Sequence, residues 1–357
     1  VTDLHAQIDL VEGELPEALP GAVPSPSKRA FMVLRLMRND GTIGVGEAAP
    51  LPGYSADSME DATEELCRLA ERPVSVDALA EPREVLSEAF SAFPLRHPSS
   101  RFALETALLD WLGKTRGRPL HRLLAGSGDL SAVPIADLAP ASAPAEWPSH
   151  ARTLVEEGAT HLKLKVGADL AEELSALRAI RREHPLLHLR LDGNRRIRPE
   201  LLAEHAGAFE ALELELFEEP VRPEHWAEVL DLPLPFALDE TLRDRALSES
   251  LLRSKHIRAV VLKPTVLGGF TGALEVAELA GALGVPALVS HTFDGPISRA
   301  AAAELALALG SDLAAGLGRH PALALWPSHR IAAISGRLIA PHDVPGLGLE
   351  IDEAADA

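Results

Sequence analysis

The stretch His161-Leu162-Lys163-Leu164-Lys165-Val166 alternates apolar and polar side chains without interruption. That period of two marks an extended strand with two unlike faces. Leu187-His188-Leu189-Arg190-Leu191-Asp192 repeats the pattern one unit later. Working outward, apolar strand-like runs end near Asp137, Lys165, Asp192, Glu218, Asp239, Lys263, His291 and Gly316, at intervals of 21 to 28 residues, with loops and amphipathic helical segments between them. A βα unit of that length repeated about eight times predicts a TIM-like α/β barrel over residues 131–320. An open doubly wound sheet would carry a Gly-rich phosphate turn after an early strand. The nearest candidate, Lys165-Val166-Gly167-Ala168-Asp169, lacks that spacing, so the barrel is the better reading.

In such a barrel the reacting groups lie at the C-terminal strand ends, and here those ends are mostly charged. With the leucines of the two alternating strands facing the helices, Lys163 and Lys165, then Arg190 and Asp192, point into the barrel mouth. Asp239 and Lys263 end two later strands. Glu218-Glu219-Pro220 ends another, but its parity is mixed and leaves the choice between the two glutamates open. Three carboxylates from three consecutive strands are costly to bury unless paired or metal-bound. An all-oxygen ligand set with open positions suits a hard divalent ion such as Mg²⁺. A lysine beside a second ammonium and a metal has a lowered pKa and can serve as a base. The chemistry this predicts is removal of a proton α to a carboxylate, with the metal stabilising the enediolate. Singly, each motif has an ordinary structural reading: Lys-x-Lys a solvated edge, Asp192-Gly193-Asn194 a turn, Asp239-Glu240 an N-cap. Their occurrence at successive strand ends argues for a site.

The first 130 residues read as a small α+β unit. Ala30–Leu36 is a strand, Asn39-Asp40-Gly41 supplies hairpin chemistry, and Thr42–Glu47 is its partner. A Pro/Gly loop over Ala49–Ser55 precedes helices over Ser58–Ala70 and Phe102–Leu112. The tail, 321–357, carries Pro321, Pro327, Pro341 and Pro345 with short strand-like pieces such as Arg330-Ile331-Ala332, and is expected to pack back on the first unit. The 357 residues are 46% apolar and carry a formal charge of −19. That balance argues against nucleic-acid binding and against a basic membrane surface. The single cysteine, Cys67, excludes an intramolecular disulfide and a thiolate zinc cluster. Val1-Thr2-Asp3-Leu4-His5 shows no leader pattern, and no apolar run reaches the roughly 18 residues of a membrane span. A cytoplasmic protein is expected, its oligomeric state left open.

These motifs resemble the enolase superfamily, in particular its muconate-lactonising subgroup. The resemblance implies an α+β capping domain (1–130 with the tail) on a modified (β/α)₇β barrel. Lys163-Leu164-Lys165 resembles the family's K-x-K, which makes Lys165 the proton-abstracting base with Lys163 beside it. Asp192-Gly193-Asn194 resembles D-x-N, Glu218-Glu219-Pro220 E-x-P, and Asp239-Glu240 D-E. By that correspondence Asp192, Glu218 and Asp239 are the ligands of Mg²⁺, with Mn²⁺ as a substitute, and Glu218 is preferred to Glu219. Lys263 resembles the lysine on the opposite face. Within the subgroup the likeness is strongest to the o-succinylbenzoate synthases. It rests on Gly46-Glu47-Ala48-Ala49-Pro50-Leu51-Pro52-Gly53-Tyr54-Ser55, on Arg190-Leu191-Asp192-Gly193-Asn194-Arg195, and on Lys263-Pro264-Thr265 with Gly268-Gly269.

The implied reaction is syn-dehydration of 2-succinyl-6-hydroxy-2,4-cyclohexadiene-1-carboxylate to 2-succinylbenzoate, a carbon–oxygen lyase step of menaquinone biosynthesis on a small anionic substrate. Pro52, Gly53, Tyr54, Ser55, Arg190, Asn194, Ser290, His291 and Thr292 would contact that substrate, with Glu240 and Asp294 supporting the site from behind. Two departures stand out. The seventh strand ends Ser290-His291-Thr292-Phe293-Asp294 rather than in a serine run and Glu-Ser, which leaves open whether Asp294 replaces that glutamate. The eighth reads Ala315-Gly316-Leu317-Gly318-Arg319, without the Asp-x-Asp of dipeptide epimerases. N-acylamino acid racemisation, or another epimerase or cycloisomerase activity of the subgroup, is the alternative. A Schiff-base lysine aldolase is more distant, since it leaves the carboxylates unexplained, and a metal-stapled scaffold is the non-enzymatic reading.

Overall fold

Two glycines fix how the first layer packs. In the computed structural model, which describes residues 1–15, 19, 27–125, 131–318, 330–331 and 333–350, strands β1 (Thr2–Glu14), β2 (Lys28–Met37), β3 (Ile43–Ala48) and β4 (Val74–Val76) form an antiparallel sheet. Its order is β3-β2-β1-β4. Helices α1 (Met59–Leu69), α2 (Pro82–Ala92), α3 (Pro98–Arg116) and α4 (Leu120–Ala125) complete this unit. A Cβ at Gly46 would stand 1.9 Å from the Ala103 carbonyl oxygen, and one at Gly44 2.1 Å from that of Ala107. Only glycine lets α3 lie this close on β3. The β2–β3 turn forms as expected, with Thr42 N donating to Asp40 Oδ1 at 3.1 Å. Ser58 and Asp61 cap α1 reciprocally. β1 was not anticipated although Leu4-His5-Ala6-Gln7-Ile8-Asp9-Leu10 alternates apolar and polar residues; along it Leu4 is buried and Ala6 and Ile8 are half-buried against the core.

After a short strand β5 (Val133–Pro134), the barrel follows in β6 (Asp137–Leu138), β7 (His161–Lys165), β8 (His188–Asp192), β9 (Leu216–Glu218), β10 (Phe236–Leu238), β11 (Ile257–Leu262) and β12 (Ala287–Val289). Between and after them run α5 (Trp147–Glu156), α6 (Leu170–Glu183), α7 (Pro199–Glu210), α8 (Trp226–Val229), α9 (Arg245–Arg253), α10 (Pro264–Leu267), α11 (Phe270–Ala282) and α12 (Pro296–Leu309). β6 through β12 make one parallel sheet in sequence order. The eighth strand is reduced to a seam. Ala315 bridges Ile135 and Gly316 bridges Ser290, with Ala136 N donating to Ala315 O and Gly316 N to Val289 O, each at 2.8 Å. The fold is thus an α/β barrel of the modified TIM type with an antiparallel cap.

Strand parity sorts the core. Leu162, Leu164, Leu189 and Leu191 join the large apolar layer shared with the helices. Leu216, Ala237, Ala259, Val261 and Leu288 form a separate cluster, which alternation places inside the barrel. The next residues of the same parity are Glu218, Asp239, Lys263 and Ser290, all on the mouth side of that plug.

In the tail, β13 (Arg330–Ile331) pairs with β16 (Leu349–Glu350), and β15 (Leu338–Ile339) lies between β14 (Ile334–Ser335) and β5. Leu347 N donates to Asp110 Oδ1 on α3 at 2.9 Å, and Leu120 N to Gly346 O at 2.8 Å. Of the positions named from sequence, Arg319, Pro321, Pro327 and Ala332 lie outside the described residues. Among the described residues no helix is long and apolar enough to cross a membrane.

Candidate active site

The C-terminal ends of the barrel strands and the loop after β3 enclose a cavity of about 390 Å³. β7 sends Lys163 and Lys165 into it, as the alternation requires. Lys163 Nζ lies 3.0 Å from Asp192 Oδ2 at the end of β8 and also pairs with Glu218 at the end of β9. Lys165 Nζ stands 3.9 Å from the same Asp192 oxygen. Burial lowers the Lys165 pKa, and the positive charges of Lys163 and Lys263 add to that against the pull of Asp192. Burial would also lower Lys163, but Asp192 and Glu218 outweigh it and hold that ammonium protonated. Two lysines two residues apart are therefore driven in opposite directions, which sets a group able to act as a base beside a fixed cation.

The adjacent glutamates at β9 divide their work through backbone geometry. Glu219 adopts a left-handed φ of 38°. Its carboxylate accepts from Asp239 N at 2.8 Å, Thr241 N at 2.7 Å and Arg195 Nε at 3.0 Å. It is thus a buried brace between strand ends, and Glu218 alone of the pair lines the cavity. A Cβ at Gly193 would fall 2.6 Å from Pro220 Cα, so glycine here allows the ends of β8 and β9 to approach.

On the far side Lys263 pairs with Asp239 and donates to the Tyr54 hydroxyl at 2.8 Å. Asn194 donates to Glu240 at 3.3 Å, and burial together with the charge of Asp239 raises Glu240 to about 8. Pro52, Gly53 and Tyr54 line the cavity, whereas Ser55 accepts from Leu51 N at 2.9 Å and braces the loop. Ser290, His291 and Thr292 also line it. The Ser290 hydroxyl is spent on Gly316 O at 3.1 Å, and His291 Nδ1 accepts from Phe293 N at 3.0 Å. Asp294 is buried behind them, accepting from Thr292 and Thr265. Arg190 reaches the cavity floor with its guanidinium tied to Glu215 and to Ala314 O, both at 2.6 Å.

Sequence reasoning did not single out Arg196 or Arg243, which line the rim with Arg195. Arg243 stacks 4.4 Å from the Tyr54 ring centroid, a tertiary contact without local signal. It also did not give a role to Arg29 or Glu47, which lock the cap to the loop before α12. Glu47 accepts from Gly295 N at 2.7 Å and Ile297 N at 3.2 Å, and Arg29 Nε donates to Phe293 O at 3.1 Å.

Asp192 Oδ2, Asn194 Oδ1 and Glu240 Oε2 are buried and accept no well-aligned hydrogen bond. With the all-oxygen character of Asp192, Glu218 and Asp239, this donor set fits a hard divalent cation. Ammonium groups now stand among these carboxylates, which are not gathered within the 4.8 Å seen in two His–Glu clusters elsewhere in the molecule.

Residues 146–355 match the family described as Enolase C-terminal domain-like, and residues 10–125 match Mandelate racemase / muconate lactonizing enzyme, N-terminal domain. The chain belongs to the muconate-lactonising subgroup of the enolase superfamily. As a member of this superfamily it is an enzyme, within a group whose reactions are lyase, racemase or epimerase steps. It is 29% identical over 309 residues to the o-succinylbenzoate synthase of Desulfotalea psychrophila, covering 78% of this chain and 83% of that protein. It is 26% identical over 283 residues to the L-Ala-D/L-Glu epimerase of Bacillus subtilis, covering 77% and 76%. In fold it is similar to the dipeptide epimerase from Methylococcus capsulatus, solved with Mg and the dipeptide L-Arg-D-Lys. The TM-score there is 0.85 at 22% identity, over 98% of this chain and 99% of that one.

Proposed function

We propose that the chain is an o-succinylbenzoate synthase-like dehydratase acting on 2-succinyl-6-hydroxy-2,4-cyclohexadiene-1-carboxylate. The observation that carries this reading is the eighth-strand side of the cavity. Gly316 and Gly318 line it and offer no carboxylate for a substrate ammonium, while Arg195, Arg196 and Arg243 add positive charge at the rim. A dianionic acid suits that distribution, and a dipeptide with a free amino group does not.

Asp192, Glu218 and Asp239 would hold Mg²⁺, which when bound supplies positive charge against the substrate carboxylate and acidifies its α carbon. Lys165, its pKa lowered by burial, takes the α proton as a neutral amine. The electron pair left on carbon forms the new double bond as the hydroxyl leaves. The same ammonium returns the proton to that hydroxyl, so water departs and Lys165 ends as it began. One residue serves both steps because the two groups leave from one ring face. Lys163, held protonated, offsets negative charge that develops beside it. The Leu51–Ser55 loop covers the site and excludes water.

One observation favours N-acylamino acid racemisation as a second reading. Lys165 and Lys263 enter the cavity from strands with β8, β9 and β10 between them, and so could address opposite faces of an α carbon. Loss of diene absorbance with the EDTA-treated chain, with and without added Mg²⁺, decides between them. Metal-dependent turnover is expected. Solvent deuterium entering an N-succinylamino acid without turnover of the cyclohexadiene would overturn the dehydratase reading in favour of the racemase.

A further inference from the structure

The opposite end of the barrel carries a second group of ligating side chains. His161 begins β7 and His188 begins β8, and the two are directly paired across the parallel ladder. Their imidazoles stack with centroids 4.4 Å apart and planes 12° from parallel. Glu215, just before β9, brings Oε1 to 3.6 Å from His161 Nε2. That is too long for a hydrogen bond, and with the imidazole proton on Nδ1, toward the Thr160 hydroxyl, two electron-pair donors would face each other. The other atom of each is already held. His161 Nδ1 lies 2.9 Å from the Thr160 hydroxyl, and Glu215 Oε2 accepts from Arg190 Nε at 2.6 Å. Such outer contacts orient metal ligands and fix an imidazole tautomer. One ligand atom from each of the three residues lies within 4.8 Å of the others, and ligand atoms on a tetrahedral zinc stand roughly 3.3 Å apart.

We propose that His161, His188 and Glu215 form a second metal site, distinct from the catalytic carboxylates, that takes a borderline transition-metal dication such as Zn²⁺ with solvent completing its shell. Two imidazoles and one carboxylate favour zinc, copper or nickel over Mg²⁺, which prefers oxygen ligands. Burial brings His161 down to about 4, so its ring is neutral and ready to ligate near pH 7. Among the described residues the other His–Glu cluster is already filled by protons. Val344 N donates to His342 Nδ1 at 3.1 Å, which leaves Nε2–H to donate to Glu304 at 2.7 Å. The remaining Glu304 oxygen accepts from His121 N at 2.7 Å and lies 2.8 Å from His121 Nδ1.

The test uses the full chain, stripped of metal, held in excess Mg²⁺ to occupy the catalytic carboxylates, and titrated calorimetrically with Zn²⁺ alone. One equivalent is expected, weakened at least about tenfold in His188→Ala and in His161→Gln. The exposed His188 makes the first of these safe for folding, and circular dichroism checks both. His256→Ala is the control, because His256 stands 3.6 Å from Asp231 and belongs to neither ligating cluster found among the described residues, and it should bind as wild type. Absence of a zinc isotherm, unchanged affinity in either cluster variant, or equal weakening in the control overturns the assignment.

Discussion

Tyr54 of the cap donates its phenolic hydrogen to Asp239 of the barrel across 3.2 Å, from 185 positions away in sequence. Lys263 donates to the same hydroxyl, so one oxygen ties the capping loop to an acidic strand end and to the cation facing it. Tyr54→Phe keeps the ring that Arg243 and Lys263 stack on and removes only that oxygen. Losing a hydrogen bond to charged partners costs about 1–2 kcal/mol, so kcat/KM should fall by up to about 5- to 30-fold and Tm by about a few degrees. Steady-state kinetics with a thermal melt checks this, and an unchanged kcat/KM would show that the loop is held by other contacts.

Lys165→Ala should lower kcat by about 10²–10⁴-fold, the usual contribution of a positioned acid–base group. The fold should survive, because Lys165 makes one long ion pair, to Asp192, and Asp192 keeps its closer partner Lys163. Single-turnover kinetics beside circular dichroism provides the measurement. Wild-type turnover in the variant would mean that another group removes the proton.

Glu218 and Glu219 should separate cleanly under substitution to Gln. Glu219→Gln places an amide against backbone N–H donors and Arg195, and should cost about 1–3 kcal/mol of stability. Glu218→Gln should leave Tm nearly intact and raise the Mg²⁺ concentration needed for half-maximal turnover. Melts and metal titrations on both variants test the division, and reversed phenotypes would exchange the two roles.

Glu47 supplies a pH dependence of stability. Burial, with the charge of Asp294, raises it from 4.5 to about 7. Between those values the folded chain binds more protons than the unfolded chain, so this group's contribution falls as pH rises. Glu47→Gln does not titrate. The stability of the variant relative to wild type should therefore rise by roughly 2–3 kcal/mol between pH 4.5 and 7. Denaturant melts across that window measure it, and a flat difference would mean that Glu47 is ionised throughout.

Much of the fold was legible because barrel strands carry their parity in the open. Lys163 with Lys165, and Arg190 with Asp192, alternate with leucines that have one place to go. Glu218 and Glu219 could not be told apart by parity, since a left-handed turn at Glu219 breaks the alternation. Resemblance chose the residue that the structure turns toward the cavity. β1 was missed although its period of two was present in Leu4-His5-Ala6-Gln7-Ile8-Asp9-Leu10. Helix α2 was not read from sequence, and helix 102–112 extends to Pro98–Arg116. The clasp of Arg29 and Glu47 on the loop before α12 joins segments some 250 residues apart, a distance over which local patterns carry no information.

The lysines interleaved with the acidic strand ends give the site its own resident counterions. With Lys163 between Asp192 and Glu218, and Lys263 on Asp239, the mouth of an acidic chain is close to locally neutral, so the overall charge of the protein does not set the sign of what its barrel can receive.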